Sequence, residues 1–155
     1  MSSVKVGQPV VDFTVPVTGN KSVTLSDLKG KNVILYFYPK ANTPGCTKEG
    51  EGFRDHHEAF AALDTVILGA SRDSVRAQDN FRNKYHFPFD LIADQDETLC
   101  RQFDVIKLKK MYGKESMGVE RSTFLIDKNG VLSREWRKVK VPGHVEEVLQ
   151  AVKEL

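Results

Sequence analysis

Hydrophobic positions along this chain follow two rhythms. Asn32-Val33-Ile34-Leu35-Tyr36-Phe37-Tyr38 is an unbroken run of β-branched and aromatic residues, the mark of a strand buried on both faces, and Pro39 ends it. Thr65–Ala70 repeats the pattern, and Phe89–Ile92 gives a shorter version. Between these runs the spacing is helical. Phe53, His56 or His57, Phe60 and Leu63 recur from Thr43 to about Leu63, and Val75, Phe81 and Tyr85 recur over Ser74–Tyr85. Leu99, Cys100 and Phe103 share one face of Glu97–Phe103, and Val145, Val148, Leu149 and Val152 form the apolar stripe of His144–Leu155. Two hairpins frame this core. Phe13–Val17 and Ser22–Leu25 flank Thr18-Gly19-Asn20-Lys21, while Ser122–Ile126 and Val131–Arg137 flank a turn in which Asn129-Gly130 supplies the positive φ. Ser26 reads as the cap of a brief helical turn stopped by Gly30.

The element order is therefore hairpin, β-α-β-α-β-α, hairpin, α. Right-handed crossovers make the first two long strands parallel neighbours, and the closing hairpin adds antiparallel strands. The expected fold is α/β and thioredoxin-like: a mixed central sheet, helices on both faces, and an N-terminal β-hairpin. With no linker, repeat or low-complexity tract, residues 1–155 read as one domain.

Composition narrows the function. Lys and Arg number 23 against 21 Asp and Glu, for a net charge of +2, too balanced for a binder of nucleic-acid backbone. The longest apolar stretch, Val33–Tyr38, is far short of the ~18–20 residues of a membrane span. Met1–Pro9 lacks a charged-then-apolar signal pattern, so the expected location is the cytoplasm. The two cysteines, Cys46 and Cys100, are too few for a disulfide scaffold. There is no CxxC pair and no HExxH, and His56, His57, His86 and His144 are not spaced as zinc ligands.

The chemistry concentrates in Tyr38-Pro39-Lys40-Ala41-Asn42-Thr43-Pro44-Gly45-Cys46-Thr47-Lys48-Glu49. This segment lies between the carboxyl end of a buried strand and the start of a helix, where open α/β sheets bind ligands. Thr43 is a good N-cap, Pro44 suits the first helical position, and Cys46 then falls in the first turn. There it meets unpartnered backbone N–H groups and the positive end of the helix dipole. A free thiol is only about 3% ionised at neutral pH. Holding one mostly ionised takes about 3 kcal/mol of preference for the anion, of which a helix start supplies about 0.5–2. A positively charged donor such as Arg is the natural source of the rest.

Pro39-x-x-x-Thr43-x-x-Cys46 resembles the PxxxTxxC signature of peroxiredoxins. The run Tyr36–Lys40 continued through Cys46-Thr47-Lys48-Glu49 is similar to the peroxiredoxin Q group, also called bacterioferritin comigratory proteins. Gly69-Ala70-Ser71-Arg72-Asp73-Ser74, Asp79-Asn80-Phe81 and Glu120–Asp127 extend the resemblance from about Val6 to the C-terminus. It implies a thiol peroxidase for hydrogen peroxide and organic hydroperoxides, without metal, haem or flavin, recycled by thioredoxin or a similar thiol donor and acting as a monomer. Cys46 would be the peroxidatic thiolate, passing through a sulfenic acid. Thr43 would hydrogen-bond the reacting oxygens, Arg121 would stabilise the thiolate and the leaving oxygen, and Pro39 would cover the sulfur. Glu49, one helical turn after Cys46, is placed to orient Arg121 by a salt bridge.

One departure matters. Many members carry a resolving cysteine five residues after the first, and here that position is Glu51. Cys100 reads either as a core thiol on a buried helix face or as a resolver needing local unfolding, unless the two Cα atoms approach within ~7 Å. Otherwise an external thiol must act. Gly50 and Gly52 weaken the helix after Cys46 by up to ~1 kcal/mol each. The basic stretch Lys107, Lys109, Lys110 and Lys114 reads as a solvated loop, with docking of an acidic reductant as the sharper alternative. Trp136 reads as a strand packing residue. Two rival functions stay open: a peroxide sensor or relay that passes oxidation to a client protein, and a thiol–disulfide oxidoreductase, against which the missing CxxC counts.

Overall fold

The computed structural model describes residues 4–155, so residues 1–3 of the expected 1–155 domain lie outside the described residues. The chain runs through β1 (Thr14–Val17), β2 (Lys21–Thr24), a 3-10 turn (Leu25–Leu28), β3 (Asn32–Phe37), α1 (Pro44–Asp55) and α2 (His57–Ala62). It continues through β4 (Thr65–Ser71), α3 (Val75–Tyr85), β5 (Leu91–Ala93), α4 (Thr98–Gln102), β6 (Ile106–Met111), β7 (Lys114–Val119), β8 (Ser122–Ile126), β9 (Leu132–Trp136) and α5 (His144–Lys153). Seven strands form one mixed sheet in the order β2-β1-β5-β4-β3-β8-β9. β3 pairs in parallel with β4 and antiparallel with β8, and β4 pairs in parallel with β5. This is the thioredoxin-like arrangement that the alternation of strands and helices implies.

Every residue of β3 is buried, and because side chains alternate along a strand they feed two separate cores. Val33, Leu35 and Phe37 join Leu68, Leu99, Cys100, Phe103 and Phe124 on one face. Ile34, Tyr36 and the adjoining Tyr38 join Cys46, Phe53, Phe60, Phe81, Leu125 and Val148 on the other. Thus α1, α2, α3 and α5 cover one face, and α4 with the 3-10 turn covers the other. The two cysteines are consequently divided by the sheet.

Local readings shift in several places. The helix expected from Thr43 to Leu63 is two helices meeting at His56, whose ring nitrogen and backbone N–H both engage the Gly52 carbonyl, at 2.9 and 3.2 Å. The short strand sits at Leu91–Ala93 rather than Phe89–Ile92, because Phe87 and Phe89 serve as core rings before the strand begins. The 3-10 turn is entered from Thr24, not Ser26. In the β8–β9 turn it is Gly130 that has positive φ, and the Asp127 carboxylate accepts from the N–H groups of Asn129 and Val131. The basic stretch is no loop. β6 and β7 form a separate two-stranded ribbon whose turn residues Tyr112 and Gly113 both have positive φ, the conformation that tight hairpins demand.

Gly50 and Gly52 have a packing role beyond the propensity argument. A Cβ on Gly50 would lie 2.5 Å from the Phe87 ring, and one on Gly52 would lie 2.9 Å from Val145 Cγ2. The two glycines let α1 approach its neighbours at distances that no side chain permits.

Candidate active site

Register builds the site. Phe37 at the end of β3 pairs with Ser122 at the start of β8, so Arg121, one residue earlier, arrives at the carboxyl end of β3. There α1 begins, with Thr43 at the N-cap, Pro44 next, and Cys46 in the first turn. Cys46 is 1% exposed. The Arg121 guanidinium spans the gap between sulfur and carboxylate: Nη2 donates to Cys46 Sγ at 3.4 Å, and Nη1 donates to Glu49 Oε1 at 2.7 Å. Cys46, Arg121 and Glu49 are therefore brought together as the sequence suggests.

Glu49 is 0% exposed and its second oxygen, Oε2, has no partner among the described residues. Burial pushes its carboxyl up to about 7, against the pull of Arg121. For Arg121 burial opposes the charge, but Glu49 and Cys46 outweigh it and hold the guanidinium above its ordinary value. Gly45 is a residue that sequence reasoning missed. A Cβ there would lie 3.2 Å from Arg121 Nη2, so a side chain would crowd the guanidinium. Its only signal was a glycine between a helix-starting proline and the cysteine.

Thr43 occupies the N-cap but its side chain makes no capping bond. Its hydroxyl donates instead to the Lys40 carbonyl at 2.8 Å. The hydrogen is thus spent on the chain, and the oxygen's lone pairs stay available as acceptors. Pro39 and Thr43 are both half-buried, on the loop between β3 and α1. Lys109 of β6 is half-buried, its stem 3.1 Å from where a Gly118 Cβ would sit. Burial lowers its basicity, helped by Arg121 and Arg72, while Cys46 acts in the opposite sense.

Cys100 is not part of this assembly. It is fully buried in the opposite core, and its backbone N–H donates to Asp94 Oδ2 at 2.7 Å. Burial first, and the Asp94 carboxylate next, push its thiol far above the ordinary range. Trp136 packs in the helix-covered core with its ring at 5.8 Å from His144, a packing role as expected. Among the described residues no group of His, Cys, Asp and Glu is arranged to hold a metal, and no helix is long and apolar enough to cross a membrane.

A thiol at a helix start, on the carboxyl end of a thioredoxin-like sheet and under a buffered guanidinium, marks a thiol-based oxidoreductase. The AhpC/TSA family model matches residues 6–134. Peroxiredoxin Bcp of Bacillus subtilis is 52% identical, with 99% of this chain and 98% of that protein covered. A solved structure of Xanthomonas campestris peroxiredoxin Q superposes with a TM-score of 0.90 at 46% identity, covering 99% of this chain and 97% of that one. Peroxidoxin BcpB of Mycobacterium tuberculosis superposes at 0.87 with 34% identity, covering 99% of each chain. The chain belongs to the AhpC/TSA family and, within it, to the peroxiredoxin Q or bacterioferritin comigratory group, and it is a peroxidase.

Proposed function

We propose that Cys46 is the peroxidatic residue and that the site works through a sulfenic acid. The anionic sulfur attacks the hydroxyl oxygen of a hydroperoxide. An S–O bond forms as the O–O bond breaks, leaving Cys46 as sulfenic acid and an alkoxide or hydroxide that takes up a proton. Arg121 stabilises the sulfur before attack, and its remaining donors face the charge that moves onto the leaving oxygen. Glu49 fixes the guanidinium. Thr43 accepts the peroxide O–H, because its own hydrogen is committed to Lys40, and Pro39 shields the sulfur. One observation carries this reading: a single guanidinium touching both Cys46 and Glu49 at the start of α1.

Recycling needs a thiol from outside. A donor thiol condenses with the sulfenic acid, releasing water and forming a mixed disulfide, and the donor's second thiol then frees Cys46. Thioredoxin suits this role, and organic hydroperoxides suit the site: a related Xanthomonas campestris structure is described in connection with alkyl peroxide reduction, at 45% identity. The same lack of a resolving thiol beside Cys46 supports a second reading, in which the oxidised protein hands its oxidation to a client. Both take residues 1–155 as one domain acting as a monomer in the cytoplasm. The test is peroxide-dependent NADPH oxidation with thioredoxin and thioredoxin reductase. Sustained turnover that vanishes in Cys46→Ser and survives in Cys100→Ser supports the enzyme, whereas a single oxidation event without turnover supports the relay.

A further inference from the structure

The loop that carries Pro39 and Thr43 is fastened from outside the site. The Lys40–Ala41 peptide is a rigid plane with its N–H and C=O pointing oppositely. Its C=O accepts the Thr43 hydroxyl at 2.8 Å, and its N–H donates to Asp73 Oδ2 at 2.8 Å. Asp73 lies just past β4, in the Ser71-Arg72-Asp73-Ser74 segment to which the peroxidase chemistry assigns no role. Behind it runs a chain of hydrogen bonds, part-buried at Asp73 and buried beyond it. Ser71 Oγ donates to the same Asp73 oxygen at 2.6 Å, Gln78 Nε2 donates to Ser71 Oγ at 2.9 Å, and Tyr38 Oη donates to Gln78 Oε1 at 2.7 Å. Gln78 also donates to the Ile92 carbonyl at 2.7 Å. Tyr38, Ser71 and Gln78 are all 0% exposed, and a satisfied buried network of this kind is rigid. Asn42, the next residue of the loop, has a left-handed φ of 63°, and its side chain accepts from Tyr85 Oη at 3.1 Å.

We propose that Asp73 is a positioning residue of the peroxidase reaction: by holding the Ala41 N–H it fixes the peptide plane whose carbonyl aims the Thr43 hydroxyl, and Ser71, Gln78 and Tyr38 brace it. The inference rests on the reading of Thr43 as the acceptor for the peroxide O–H. Without the clamp the Lys40–Ala41 plane rotates, the Thr43 hydrogen is no longer committed to the chain, and the acceptor that receives the peroxide is lost. Misplacing a reacting group by ~1 Å costs about 100-fold in rate.

The test is a double-mutant cycle on the rate of Cys46 oxidation by hydrogen peroxide, followed by stopped flow. Asp73→Ala should slow oxidation by about 10- to 100-fold while leaving Cys46 alkylation by iodoacetamide unchanged, since alkylation does not use Thr43. Asp73→Asn, which keeps an oxygen acceptor, should restore most of the rate. In a Thr43→Val background Asp73→Ala should have no further effect, because the group it aims is gone. Ser71→Ala, a milder change that leaves Asp73 in place, should show a smaller loss that also disappears in Thr43→Val. An Asp73→Ala rate equal to wild type overturns the proposal, as does full multiplication of its effect with that of Thr43→Val, or equal slowing of alkylation and oxidation. These outcomes leave the peroxidase reading intact, whereas a wild-type protein that does not oxidise at Cys46 removes that reading first.

Discussion

Replacing Glu49 with glutamine should make the protein more stable and a worse peroxidase, and the two effects should share one pH dependence. Glu49 is fully buried, one oxygen on Arg121 and the other unpartnered among the described residues, and its carboxyl is raised from 4.5 to about 7. A group bound more tightly to its proton in the folded state contributes stability that is complete below its unfolded value and is lost as pH rises through its folded one. The window is therefore pH 4.5 to about 7. At ~1.4 kcal/mol per pH unit the full loss is about 3 kcal/mol. Glutamine resembles the protonated acid, keeps an acceptor for Arg121, and has no such loss. Urea unfolding of both proteins from pH 4.5 to 8 should give nearly equal stabilities at the acid end and an advantage to Glu49→Gln of about 3 kcal/mol at pH 8. For a domain of this size that is a shift in Tm of about 6–12 °C. Peroxide oxidation of Cys46 should behave oppositely, with the ratio of wild type to variant rising through about pH 7 as Glu49 gains the charge that holds Arg121 in place. A stability difference that is flat with pH, or that grows in favour of wild type, would refute the reasoning.

Three further outcomes follow from the same geometry. Arg121→Ala leaves Glu49 buried without its ion partner and Cys46 without its donor, so peroxide attack should slow by about 100- to 1,000-fold and unfolding should show a loss of about 3 kcal/mol or more at pH 8. Gly50→Ala gains helix propensity of up to ~1 kcal/mol but drives a methyl group to 2.5 Å from the Phe87 ring. Denaturation should therefore report a net loss of about 1–2 kcal/mol, and a gain would show that Phe87 moves freely. His144 is buried against Thr123, with Nε2 to Oγ1 at 2.8 Å, and burial lowers it from 6.5 to about 4. Its sign is the reverse of that for Glu49: stability present above pH 6.5 is lost as pH falls toward 4. The two gradients offset one another in wild type, so His144→Gln should expose a stability curve that falls more steeply with rising pH.

The sequence carried the skeleton because its signals were redundant. β3 is an unbroken apolar run, α1 has a strand before it and a proline at its first position, and α5 has a clean stripe, so each was legible alone. The candidate site was legible where chemistry and position coincide, at Thr43 and Cys46, whereas Arg121 came from the resemblance alone. What escaped depends on register and close approach. Nothing local says that Phe37 pairs with Ser122 and so delivers Arg121, or that Gly45 leaves room for a guanidinium. Gly50 illustrates the limit well: propensity sees a weak helix former, while the structure sees the contact face for Phe87. The β6–β7 ribbon was hidden by its lysines. Ile106-Lys107-Leu108-Lys109 does alternate, but with Leu108 left exposed the hydrophobic signal is weak.

If Cys46 is the residue oxidised, as proposed, the sheet itself separates it from Cys100. Cys46 packs with Ile34, Tyr36 and Tyr38 on one face, and Cys100 packs with Val33, Leu35 and Phe37 on the other. A disulfide needs Cα atoms within about 7 Å, so joining the two thiols means pulling α4 or α1 out of its core and passing around a sheet whose central strand is wholly buried. Cys100 is in addition held as the thiol by burial and by Asp94, and the thiol form is not the nucleophile. An external thiol would not have to cross the sheet, and at the carboxyl end of β3 Pro39 and Thr43 are only half-buried. Mass spectrometry after one equivalent of peroxide should therefore find a single added oxygen on Cys46, trapped by dimedone, and a mixed disulfide once a small thiol is supplied. A Cys46–Cys100 crosslink forming as fast as the sulfenic acid disappears would mean that the protein opens its core on every cycle, and the one-cysteine account would fall.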